Sequence, residues 1–84
     1  MTEAELFLTA QKGLVEIKSA VLGYLKLNAD RSLKNVEIGR ALGIYGGHVG
    51  HEGHISRLAL ELLKADGLVD QSPDKSWHLK DLKG

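Results

Sequence analysis

The chain has 84 residues, 43% hydrophobic and 26% charged, enough for a single core and too short for two. It has no cysteine, which excludes a disulfide framework and a thiolate zinc site. Eleven Lys and Arg balance eleven Asp and Glu, so a uniformly basic surface is excluded and any contact with phosphate must be local.

The first residues, Met1-Thr2-Glu3-Ala4-Glu5, are acidic where a signal peptide begins basic. No apolar run approaches the roughly 20 residues of a membrane span, so a cytoplasmic protein is expected. Thr2 and Glu5 have the spacing of a capping box, which predicts a helix start. Leu6, Ala10, Leu14, Ile17, Val21 and Leu25 then recur at three- and four-residue steps as one apolar stripe. A second set, Leu8, Val15 and Leu22, falls off that stripe. The 1–29 segment is therefore expected to break or bend near Gly13 and to carry a homodimer contact. The plainer reading is a wide core face with a few exposed leucines.

Asn28-Ala29-Asp30-Arg31 reads as a turn, and Ser32-Leu33 as a very short strand. A compact helix is predicted from about Lys34 to Leu42, with Gly43 as its stop. Half of the ten glycines lie between Gly43 and Gly53, so this connection is flexible or takes backbone angles closed to other residues. A third helix begins between Gly50 and His54 and ends before Gly67. Leu68-Val69-Asp70-Gln71 and Ser76-Trp77-His78-Leu79-Lys80 read as two strands joined by Ser72-Pro73-Asp74-Lys75, where Pro sets the first corner. Val69, Trp77 and Leu79 are expected to share the inward face.

From Leu33 to Leu79 this order resembles a winged helix-turn-helix domain, as found in bacterial transcriptional regulators. Val36-Glu37-Ile38-Gly39-Arg40-Ala41-Leu42-Gly43-Ile44 matches the first helix of the motif, Ile55 to Asp66 the recognition helix, and Gly67-Leu68-Val69 the entry to the wing. The long glycine-rich connection is also similar to small winged-helix modules attached to restriction endonucleases. It departs from the ordinary turn of roughly three or four residues. The resemblance implies a mainly α fold with a small β-hairpin wing (α+β). Residues 33–66 would form the helix-turn-helix and 67–80 the wing, in a homodimer that binds duplex DNA with the helix at about 52–66 in the major groove.

On a helical wheel Ile55, Leu58, Ala59 and Leu62 form one face, with Gly53, Ser56, Arg57, Leu60, Glu61 and Lys64 largely opposite. Arg57 is the candidate for guanine readout, because a guanidinium donates two bonds to that base. Its plain alternative is a surface residue paired with Glu61 four positions on. Ser56 is a candidate for base or phosphate. Leu60 either touches a thymine methyl, packs in a dimer, or joins Leu63 in the core through a rotation of the helix. Gly53 marks a first turn or a close phosphate. Lys34, Arg40, Lys64 and Lys75 are phosphate candidates, Lys75 at the wing tip.

His48, His51 and His54 recur every three residues. His51 and His54 are read as polar groups near DNA whose protonation near pH 6 would add positive charge. Their alternative role as zinc ligands would require the loop to bend, and no metal or cofactor is expected. No nucleophile elbow or phosphate-binding loop with its lysine is present, so the chain is not expected to be an enzyme. The competing reading is a protein-interaction or dimerisation module, which zero net charge favours.

Overall fold

The computed structural model describes residues 1–46 and 52–80. Its elements are three helices, α1 (Glu3–Leu27), α2 (Asn35–Ala41) and α3 (His54–Ala65), followed by strands β1 (Val69–Gln71) and β2 (Trp77–Leu79). The fold is α+β, as expected, with β1 one residue shorter at its start and β2 one residue shorter at each end than the sequence suggests.

The start of α1 is the capping box. The Glu5 amide donates to Thr2 Oγ1 at 3.1 Å and the Thr2 amide to Glu5 Oε1 at 2.9 Å. The expected break at Gly13 does not occur, and α1 runs unbroken for 25 residues. A mid-helix glycine costs about 1 kcal/mol, which the long run of good helix formers on either side absorbs. Only the carboxyl-terminal half of α1 packs on the core, through Val21 and Leu25. Every residue from Met1 to Lys12 is exposed.

Both later helices end in the same device. Gly43 and Gly67 take left-handed backbone angles, φ 71° and 79°. The amides of Ile44 and Leu68 then reach back to the carbonyls of Gly39 and Leu63, at 2.8 and 3.0 Å. These bonds satisfy carbonyls that a helix end leaves unpaired.

β1 and β2 form an antiparallel pair with Val69 opposite Leu79 and Gln71 opposite Trp77. The turn is the expected one, closed by the Lys75 amide donating to the Ser72 carbonyl at 2.8 Å. Leu33 adds a bridge on the free edge of β2. Its amide donates to Trp77 O at 2.9 Å and its carbonyl accepts from Trp77 N at 2.7 Å. The core joins Val21, Leu25, Leu33, Ile38, Ala59, Leu60, Leu63, Val69 and Trp77. Val69 and Trp77 face inward as expected, while Leu79 is half-buried against this cluster.

The rotation of α3 differs from the expected apolar face. Ser56, Ala59, Leu60 and Leu63 are buried, whereas Ile55 and Leu58 are 48% and 55% exposed. The open choice at Leu60 thus resolves to the core. One contributor lies in α2, where Gly39 approaches so closely that a Cβ there would stand 2.9 Å from Ser56 Oγ. Two small residues at that crossing bring the helices together and turn Leu60 and Leu63 inward.

Candidate nucleic-acid interface

The bridge between Leu33 and Trp77 sets the geometry of a polar cleft. Lys34 follows Leu33 and is the N-cap of α2, so fastening Leu33 to β2 carries its ammonium to the hairpin turn. There Lys34 Nζ donates to the Asp74 carbonyl and lies 3.9 Å from Asp74 Oδ2. Arg57 and Glu61, one turn apart on α3, line the same cleft, as does Lys75 of the hairpin turn. The cleft is about 550 Å³, with Asn35, Gln71 and Trp77 completing its lining.

Three of the candidate cations, Lys34, Arg57 and Lys75, therefore meet although they come from three separate parts of the chain. The proposed pairing of Arg57 with Glu61 is not formed. Among the described residues Arg57 makes no ion pair within 4.0 Å, and its side chain is exposed. Asp74 is committed to the turn, since its Oδ1 accepts from Ser76 Oγ at 2.6 Å and Ser76 N at 3.0 Å. Those bonds, the hydroxyl's first, hold the Asp74 carboxyl below its ordinary value, with Lys34 adding a smaller pull in the same direction. Lys75 sits at φ 71°, an angle that L residues seldom adopt.

Two candidates are corrected. Ser56 is fully buried, its hydroxyl donating to Gly53 O at 3.2 Å, so it faces α2 and not solvent. Gly53 is buried as well, at φ 80° as the N-cap of α3. A Cβ on it would stand 2.6 Å from the Tyr45 ring and 2.7 Å from Asn35 Nδ2. Glycine is needed there for the left-handed angle and for close packing by protein; it stands just before the first turn, and protein rather than phosphate makes the close approach.

The remaining candidates lie outside the cleft. Arg40 is exposed and places its guanidinium 5.3 Å from the Tyr45 ring centroid. Lys64 is exposed two turns after Arg57, on the same flank of α3, and His54 is exposed in the first turn. His48 and His51 lie outside the described residues, and with them the three-histidine arrangement. Among the described residues no three His, Asp or Glu side chains are grouped to hold a metal ion, and no helix is long and apolar enough to cross a membrane.

No family model, curated protein or solved structure matches the chain. Asn35 was missed from sequence, and it ties the start of α2 to the start of α3 by donating from Nδ2 to Gly53 O at 3.1 Å. Its Oδ1 is buried without a hydrogen-bond partner among the described residues. The signal was present in Asn35 heading a helix, but its partner lies 18 residues away.

Proposed function

We propose that this chain is a winged-helix module that binds duplex DNA and regulates transcription, with α3 facing the major groove and the β1–β2 hairpin as the wing. One observation carries the reading: Lys34, Arg57 and Lys75 converge on one open cleft from α2, α3 and the hairpin turn. Three cations against Glu61 and an Asp74 already bonded to Ser76 give a local positive excess on a chain of zero net charge. An anion such as a backbone phosphate fits that balance. Arg57 stands at the edge between this cleft and the exposed side of α3, where one guanidinium can reach a base edge while its neighbours hold phosphate. Lys64 and His54 extend the same exposed side.

The exposed pair Ile55 and Leu58 favours a second reading, a module that docks protein through α3. Titrating a random duplex at low salt and then raising the salt separates the two. DNA binding predicts an affinity that falls linearly on a log–log plot, with a slope of about 0.9 per phosphate neutralised. A protein-docking module shows no binding even at the lowest salt, and that result would remove the nucleic-acid reading.

A further inference from the structure

The amino-terminal half of α1 leaves the body of the protein as an arm whose Leu6 and Phe7 are 54% and 62% exposed. Next to it, where the same helix rejoins the body, a groove of about 380 Å³ is lined by Gly13, Glu16, Ile17, Ala20, Leu42 and Ile44. Leu6, Ala10, Gly13, Ile17 and Ala20 repeat at three- and four-residue steps, so arm and groove share one face of the helix. An apolar arm and an apolar groove on one continuous face complement each other in a second copy turned end for end.

We propose that the occupant of this groove is the arm of a second copy of this chain, the two α1 helices crossing antiparallel about a two-fold axis beside Gly13. With the axis there, Leu6 of each copy stands opposite Ala20 of the other, and Ala10 opposite Ile17. Each arm then covers the other's groove, which is the reciprocal pattern a two-fold interface requires. Gly13 leaves the crossing open, since a Cβ at that position would meet nothing within 4 Å. The charges agree with this pairing. Glu16 borders the stripe and lines the groove, Lys12 lies one turn before it and further round the helix, and neither forms an ion pair among the described residues. The antiparallel crossing sets Lys12 of each copy beside Glu16 of the other.

The experiment needs no DNA, so its outcome is independent of the functional reading above. Sedimentation equilibrium at high micromolar concentration is expected to give twice the chain mass of 9.1 kDa. Leu6→Lys is expected to give the single-chain mass with helical circular dichroism retained, whereas Leu8→Lys, on the other side of the arm, leaves the dimer intact. Because the chain has no cysteine, a Leu6→Cys/Ala20→Cys double variant is expected to crosslink into covalent dimers on oxidation, and Ala20→Cys alone is not. A wild-type single-chain mass, a dimer lost in L8K but kept in L6K, or efficient crosslinking of A20C alone would overturn the proposal.

Discussion

Gly39 of α2 and Ser56 of α3 meet so tightly that a methyl on the glycine would lie 2.9 Å from the serine hydroxyl oxygen. The same methyl would also lie 2.9 Å from Cδ1 of Tyr45. Gly39→Ala therefore sets a gain in helix propensity of up to about 1 kcal/mol against overpacking of about 1–3 kcal/mol. A net loss of stability is expected in urea or thermal melts. Gly23→Ala in α1, where a Cβ meets nothing within 4 Å, is the contrast and is expected to gain about 0.5–1 kcal/mol.

The rotation of α3 is tested by a pair of leucines two positions apart. Leu60 is fully buried and Leu58 is 55% exposed. Leu60→Ala is expected to cost about 2–5 kcal/mol in chemical denaturation, by lost burial and the cavity left behind. Leu58→Ala stays within about 0.5 kcal/mol of the parent. The reverse ranking would mean that α3 packs through the other face.

Lys75 should respond in opposite directions to two assays. At φ 71° it carries a left-handed strain that glycine does not, so Lys75→Gly is expected to raise stability by about 0.5–1 kcal/mol. If the cleft holds a phosphate, the same change weakens duplex binding at low salt and reduces the salt slope by about 1. Arg57→Ala is expected to leave the melt unchanged, weaken binding and relax discrimination at one base position.

Acid should loosen the hairpin turn. Asp74 titrates below its ordinary value because the ionised carboxylate accepts from the Ser76 hydroxyl and amide. The native chain thus binds fewer protons than the unfolded one. The contribution is complete above the ordinary aspartate value of about 3.9 and is lost as pH falls through the lower native value. Glu5, held low by its bonds to Thr2, acts in the same direction at the start of α1. Thermal melts from neutral pH downward should decline less steeply in Asp74→Asn than in the parent.

Much of this fold is written in local signals. Thr2 with Glu5, Gly43, Gly67 and the Ser72-Pro73-Asp74-Lys75 turn each act on residues a few positions away, and each appears where its chemistry directs. The rotation of α3 was hidden because Ile55, Leu58, Ala59, Leu60, Leu62 and Leu63 surround most of that helix with apolar side chains. The approach of Gly39, 17 positions before Ser56, and the packing of Leu60 and Leu63 with Val21 and Leu25 of α1 select among them. The cleft was half visible. Its three cations could be picked out one by one, but their meeting depends on a backbone bridge between Leu33 and Trp77, and no spacing rule encodes that contact. Ser56 and Gly53 misled for the same reason, since polar and small residues near a helix start suit a tight helix crossing as well as a ligand.

That bridge also bears on how the cleft behaves in time. By trading both backbone bonds with Trp77, Leu33 clamps the segment leading into α2 to the hairpin, so the walls bearing Lys34 and Lys75 are anchored to a single indole-bearing residue. If the cleft takes an anion, as proposed, that anion would meet an aperture whose width is already set, and little freedom would be surrendered on its arrival. Slow amide hydrogen exchange at Leu33 and Trp77, matching that of the core helices, would be the signature of such a preset opening.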